Sequence, residues 1–168
     1  AIDREMNQLL NKNNLLLQQQ SQHDELTGLL NRRGFTNGIQ RLLPDYLGSR
    51  AAILFLDLDG LKTINDTLGH DVGDEVIRAT ASVLKEVLGG EGLLCRLGGD
   101  EFVSFLPLGM ALDMQSIVEN VQTATDAFNA THDLAYQMSI SVGGGEFVVD
   151  GQARERVSEL MVEGDTRL

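Results

Sequence analysis

The sequence predicts an α/β fold, in which a central mixed sheet is flanked by helices and preceded by a helical extension. A nearly unbroken apolar run over residues 51–58 is typical of a central strand that is covered on both faces. Apolar residues at helical spacing over residues 71–88 predict an amphipathic helix that ends at a Gly-Gly pair. Two short apolar runs joined by Gly98 and Gly99 predict a β-hairpin. Helices that alternate with such strands pack on one sheet as a sandwich.

Residues 1–22 predict a helical linker before a domain that spans residues 23–168. A stripe with alternating spacings of four and three, typical of a coiled coil, is formed by Ile2, Met6, Leu9, Asn13, Leu16 and Gln20. Because the stripe is shorter than three heptads, a single amphipathic helix folded back on its own domain stays an alternative to a coiled-coil homodimer.

The remaining elements follow from turn signals and periodicity. They are a helix over residues 31–43 ended by Pro44, a loop between Asp59 and Asp71, a helix over residues 114–129, a strand that alternates Met138, Ile140 and Val142 before three glycines, a short strand over residues 147–149, and a helix that begins near Arg154.

Composition excludes several kinds of protein. The net charge of -12 argues against binding to a nucleic-acid polymer, although a metal ion could still neutralise the phosphates of a small nucleotide. Cys95 is the only cysteine, so the chain has no internal disulfide, and its apolar neighbours indicate a buried strand residue. No apolar run is long enough to span a membrane. We therefore expect a cytoplasmic chain without membrane contact, as part of a longer sensor protein.

Two adjacent carboxylates follow the Gly-Gly pair of the predicted hairpin. Asp100 and Glu101 repel each other, and carboxylates are depleted in strands, so a compensating divalent cation is a simple explanation. The alternative is an acidic turn exposed to solvent.

A second acidic site lies where the predicted central strand ends. The strand period of two places Asp57 and Asp59 on the same side of the extended chain. If this strand lies beside the hairpin, Asp57 and Asp100 can converge on one Mg²⁺, which takes its other ligands from substrate phosphates. Lys62 would supply positive charge to those phosphates. Solvated carboxylates and a surface lysine are the alternative, but this alternative does not explain two acidic strand ends beside a lysine.

Polar residues in the loop that follows could recognise a base. Asn65 and Asp66 offer complementary donors and acceptors that suit a purine edge such as that of guanine. Asp71 is better explained as a helix cap, and Asp74 could stabilise the positive end of the same helix.

Three motifs in this order resemble the diguanylate cyclase family, known as GGDEF domains. They are Asp24-x-Leu26-Thr27-Gly28-Leu29-x-Asn31-Arg32-Arg33, Asp57-x-Asp59-x-x-Lys62-x-x-Asn65-Asp66-x-x-Gly69-His70-x-x-Gly73-Asp74, and Arg96-x-Gly98-Gly99-Asp100-Glu101-Phe102. The resemblance implies a palm-like nucleotidyl cyclase sandwich, similar to the polymerase palm and adenylate cyclase. It also implies an enzyme that condenses two GTP molecules into cyclic di-GMP with release of pyrophosphate, acting as a homodimer.

The resemblance also implies a metal site. Asp57, the carbonyl of Leu58, Asp100 and Glu101 would hold one or two Mg²⁺ ions, with Mn²⁺ as the alternative metal. Glu101 is the candidate to assist deprotonation of the attacking 3′-hydroxyl.

The nucleotide contacts are implied in the same way. Lys62 would contact phosphate, Asn65 and Asp74 would recognise the guanine edge, and Gly98 and Gly99 would let the nucleotide lie close to the backbone.

Two departures from the family pattern change the expectation. Gly89 and Gly92 stand where product-inhibited members carry an Arg-x-x-Asp pair, so we expect no inhibitory site there. The last helix is cut off at Leu168, before a Tyr-x-Ala-Lys stretch whose basic residue contacts phosphate in the family. We therefore expect this chain to bind GTP less well than one that includes this stretch. The alternative function is a catalytically silent module that binds GTP or dimerises to regulate an attached domain, and a purely structural helical dimerisation module is a third.

Overall fold

The structure is a computed structural model that describes residues 2–110 and 112–166. A short 3₁₀ helix over Leu43–Tyr46 follows the second α-helix. In chain order the other elements are α1 (Ile2–Gln20), α2 (Arg32–Leu42), β1 (Arg50–Leu58), α3 (Leu61–Leu68), α4 (His70–Leu88), β2 (Leu93–Gly98), β3 (Glu101–Pro107), α5 (Met114–Thr131), β4 (Ile140–Val148) and α6 (Ala153–Thr166).

The four strands form one sheet in the order β2-β3-β1-β4. The predicted α/β architecture and the predicted hairpin, made by β2 and β3, are confirmed. All three strand pairings are antiparallel. Among the described residues, the parallel component of the mixed sheet that we expected is an isolated bridge between Leu30 and Cys95.

Helices cover both faces of β1, as its apolar run predicts. Alternate residues of the strand enter two different cores. One face packs beneath α3, α4 and α5, through Leu54, Leu56, Ile64, Val76, Leu84, Ile117 and Val121. The other packs beneath α2 and α6, through Phe35, Ile39, Ile53, Cys95, Phe105, Val157 and Met161. Cys95 is buried on β2 as expected, and this burial raises the pKa of its thiol to about 12.

Two elements differ from the prediction. Residues 61–68 form α3 rather than a loop, because Leu61 and Ile64 pack on the core while Gly60 and Gly69 bound the helix with positive φ angles of 75° and 94°. The two strands expected around the glycine triplet are one continuous strand, β4. It crosses the triplet because Gly144, at φ 141°, fits against the carbonyl oxygen of Ile53.

Helix α1 presents its apolar stripe to solvent rather than to the domain. The exposed fractions of Met6, Leu9 and Leu16 are 55%, 57% and 55%. The alternative of a helix folded back on its own domain is therefore wrong for these described side chains. None of the helices, over the described residues, has the length and hydropathy of a membrane-spanning segment.

The glycine triplet gives a stability prediction. A Cβ at residue 144 would lie 2.0 Å from Ile53 O, whereas a Cβ at residue 145 would meet nothing within 4 Å. We expect Gly144→Ala to lower the free energy of unfolding by about 3 kcal/mol, because both the contact and the positive φ oppose a side chain. The matched Gly145→Ala variant should change it by less than about 1 kcal/mol. Urea denaturation measures both, and equal losses would contradict this account of β4.

Candidate active site

The acidic residues of β1 and of the hairpin meet at one end of the sheet. The antiparallel register of β1 and β3 sets Asp57 opposite Glu101. One residue further along, the Leu58 amide donates a 2.8 Å hydrogen bond to the carbonyl oxygen of Asp100. The structure therefore brings together the four residues predicted to form a metal site.

The electrostatics of this cluster favour a cation. Burial raises the pKa of Asp57, and the negative charges of Asp100 and Asp59 raise it further. Ionisation of Asp57 is therefore opposed by its surroundings, and a bound cation would remove that opposition.

The backbone at the cluster offers one more oxygen ligand. A regular antiparallel pair would return a hydrogen bond from the Asp100 amide to the carbonyl oxygen of Leu58, and this bond is not formed within the described residues. Nor do the described residues contain a group of three or more His, Cys, Asp or Glu side chains that could hold a metal ion by themselves. A few carboxylates, one carbonyl and added phosphate oxygens suit Mg²⁺, which seldom occupies an all-protein cage. The residues present therefore fit that ion.

Asp59 has a structural role that no pattern in the sequence indicates. Its carboxylate accepts hydrogen bonds from the hydroxyls of Ser139, at 2.8 Å, and Ser141, at 2.7 Å. Its amide also donates to the carbonyl oxygen of Ser139 at 2.8 Å. Asp59 thus ties the end of β1 to the start of β4. Because Ser141 lies opposite Asp57 in the register, the Asp59 carboxylate lies on the same side of the sheet as Asp57, as the strand period predicts.

The Gly98-Gly99 turn is held by an arginine to which we assigned no role. The Nε and Nη2 of Arg96 donate to the carbonyl oxygen of Gly99 at 3.1 and 3.0 Å. The Nη1 of the same side chain pairs with Asp24 Oδ1 at 3.0 Å, and only 12% of the Arg96 side chain is exposed. The two glycines have φ angles of 150° and 48°, which favour residues without a Cβ. The first and third motifs therefore meet at this turn, which carries Asp100.

The hydrogen-bond partners of Asp24 favour its ionised form. Burial raises its pKa, but hydrogen bonds from the hydroxyl and amide of Thr27 and the guanidinium of Arg96 lower the pKa below its usual value overall. The stability that the folded protein gains from the ionised Asp24 is complete above the unfolded-state pKa of this group. It is lost as the pH falls through the folded-state pKa.

The predicted nucleotide contacts lie on the two helices after β1. Lys62 is exposed in the first turn of α3, Asn65 lies one turn later, and Asp74 lies in α4. None of the three side chains forms a hydrogen bond or ion pair with another described residue. The Asn65 amide lies against Gly73, the residue that precedes Asp74 in the sequence.

The predicted capping role of Asp71 is wrong. Gly69 is the N-cap of α4, no side chain caps that end, and Asp71 lies in the first turn. Its negative charge there still favours the positive end of the helix.

A model of the family described as "Diguanylate cyclase, GGDEF domain" matches residues 21–168. The chain belongs to the GGDEF family. It is similar to the diguanylate cyclase DgcN of Escherichia coli K12, with 38% identity over 144 residues that make up 82% of this chain and 34% of DgcN.

Two solved structures have the same fold. The GGDEF domain of TpbB from Pseudomonas aeruginosa is 30% identical, with a TM-score of 0.68 over 87% of this chain and 90% of that one. The coiled coil and GGDEF domain of DgcB from Caulobacter crescentus is 22% identical, with a TM-score of 0.70 over 99% of this chain and 92% of that one. These similarities confirm the predicted fold class. The chain spans only 20% to 34% of the length of the curated relatives that it matches.

The raised pKa of Asp57 predicts a conflict between stability and metal binding. A carboxyl group with a higher pKa in the folded than in the unfolded protein costs stability when it is ionised, so this cost is complete at neutral pH and absent below about pH 3, under the usual Asp value of about 3.9. We expect Asp57→Asn to raise the melting temperature at pH 7 without metal but to have little effect at pH 3. Added Mg²⁺ should stabilise the native protein and not the variant.

The matched control is Asp45→Asn, which changes an exposed acid before β1. Calorimetry at both pH values measures all three proteins. A lower melting temperature for Asp57→Asn at pH 7 would show that the acidic cluster is not under repulsion.

Proposed function

We propose that this domain is a diguanylate cyclase that condenses two GTP molecules into cyclic di-GMP and pyrophosphate. The observation that carries the proposal is the meeting of Asp57, Leu58, Asp100 and Glu101 at one end of the sheet, where the pKa of Asp57 is raised. Membership of the GGDEF family supports it, as does similarity to a relative named diguanylate cyclase.

These four residues would hold Mg²⁺, with Mn²⁺ as the alternative. The ion, when bound, supplies positive charge to the α-phosphate under attack and to the pyrophosphate that leaves. Glu101 accepts the proton of the attacking 3′-hydroxyl, and Lys62 contacts the phosphates. The nucleotide lies close to the protein backbone at Gly98 and Gly99, which present no Cβ.

The base is recognised by Asn65 and Asp74. A carboxamide and a carboxylate can donate to and accept from the guanine edge, and the two side chains have no hydrogen-bond partner among the described residues. Adenine would leave these two side chains without hydrogen-bond partners, so the site would discriminate strongly against ATP.

Catalysis takes place in a homodimer. Each domain holds one GTP, and a product with two identical halves requires two domains to face each other. The exposed stripe of α1 supports this assembly, since pairing of two such helices buries it and raises the effective concentration of the two domains. The structure of the coiled coil and GGDEF domain of DgcB in complex with cyclic di-GMP is consistent with the arrangement.

The first functional test changes the hairpin acids. We expect Asp100→Ala and Glu101→Ala each to reduce formation of cyclic di-GMP from GTP and Mg²⁺ by about a hundredfold or more, because each variant removes a charge from the metal site. Melting temperatures should not fall appreciably, since Asp100 lies at the turn, Glu101 begins β3, and neither acid belongs to the two cores. Asp45→Ala is the control that removes an acid near the opposite end of β1. Near-native activity of either hairpin variant would contradict the metal site, and no product from the native protein would favour a silent module.

A second test concerns the dimer. We expect Leu9→Lys with Leu16→Lys to weaken self-association and to make activity per molecule rise with protein concentration, because four like charges would face each other across the paired helices. The control, Gln8→Lys with Asn14→Lys, adds the same charge outside the stripe. Analytical ultracentrifugation and a dilution series of the cyclase assay measure both effects. Equal activity per molecule at every dilution would contradict dimerisation through α1.

A further inference from the structure

Gly73 leaves room for the amide of Asn65. A Cβ built on Gly73 would lie 1.8 Å from Asn65 Oδ1 and 2.9 Å from Asn65 Cγ. The same Cβ would be in ordinary contact with Leu61 at 3.5 Å. The side chain of Asn65 therefore occupies the space that any other residue at position 73 would fill.

The backbone does not require a glycine at this position. Gly73 lies inside α4, and it is not among the glycines with positive φ. A glycine within a helix costs about 1 kcal/mol relative to alanine. The close approach of Asn65 is the feature of the structure that accounts for this cost.

The connection between the two helices fixes this approach. Gly69 turns the chain with φ 94° and ψ 162°, a conformation that is almost restricted to glycine. Its amide donates to the carbonyl oxygen of Asn65 at 3.0 Å, and its own carbonyl accepts from the amide of Gly73 at 3.1 Å. The Asn65 amide forms no hydrogen bond within the described part of the chain, so packing against Gly73 is what positions it.

We propose that Gly73 is a positioning residue that determines base specificity. Because Gly73 has no side chain, the Asn65 amide can lie against α4 at position 73, one residue before Asp74. The Asn65 amide and the Asp74 carboxylate can then contact one guanine edge together. Gly73 itself does not contact the base. This inference rests on the proposed function, in which Asn65 and Asp74 recognise guanine.

A double-mutant cycle tests the inference. Gly73→Ala, Asn65→Ala and the double variant are compared with the native protein by equilibrium titration with the α,β-methylene analogues of GTP and ATP, which cannot release pyrophosphate. We expect each single variant to reduce the ratio of ATP-analogue to GTP-analogue Kd about tenfold or more. The double variant should be no worse than Asn65→Ala, because alanine at position 65 removes the atoms that a Cβ at position 73 would meet.

Melting temperatures supply an independent readout. Gly73→Ala should be stabilising in the Asn65→Ala background, where only helix propensity is left, and less so or destabilising in the native background. Ser82→Ala, at an exposed position of α4, is the control for helix propensity alone and should leave the Kd ratio unchanged.

The outcomes separate the inference from the function on which it rests. If Asn65→Ala leaves the Kd ratio unchanged, the proposed guanine contact is wrong and Gly73 has nothing to position. If Asn65→Ala lowers the ratio and Gly73→Ala does not, the guanine contact stands and the inference is overturned. Losses that add in the double variant would also overturn it. If Gly73→Ala fails to fold, the double variant is compared with Asn65→Ala instead. A lower Kd ratio for the double variant than for Asn65→Ala would then overturn the inference.

Discussion

The antiparallel pairing of β1 with β3 is the interaction on which the rest of the site depends. Its register sets Asp57 opposite Glu101 and brings Leu58 to Asp100. A slip of one residue would turn every side chain of β1 to the opposite face, so the two cores that alternate along this strand also specify the register. The packing that specifies the strand register therefore also fixes the relative positions of the acidic residues.

Negative charges held this close need restraint, and two contacts provide it. On one side, Asp59 is anchored to the serines of β4. On the other, Arg96 links the Gly99 carbonyl to Asp24, an ion pair that is mostly shielded from solvent. Both contacts act on chain segments that flank the acids and leave Asp57 itself without compensation. The site thereby retains an electrostatic strain that a cation can relieve.

The sequence predicted the elements with a strong period and missed those that depend on distant contacts. The apolar run of β1 and the helical spacing of α4 are local signals, and both elements were found. Helix α3 is only eight residues long and contains Asn65 and Asp66, so its pattern resembles a loop. The pairing of Arg96 with Asp24 joins residues that are 72 positions apart, which no local periodicity reveals. The motifs contained both residues, but only the fold shows that they meet.

The charge balance explains why a metal is central to the proposed chemistry. The chain carries a net charge of -12, and a nucleoside triphosphate adds more negative charge. Arg96, the basic residue of the hairpin, is already engaged by Asp24 and the Gly99 carbonyl. Among the described residues assigned to the site, Lys62 is then the cation that remains without an ion pair, and it is exposed to solvent, where one charge contributes little. Under the proposed function, nucleotide affinity would therefore depend on the divalent ion more than on side-chain charge, and geometry rather than net electrostatic attraction would supply the selectivity.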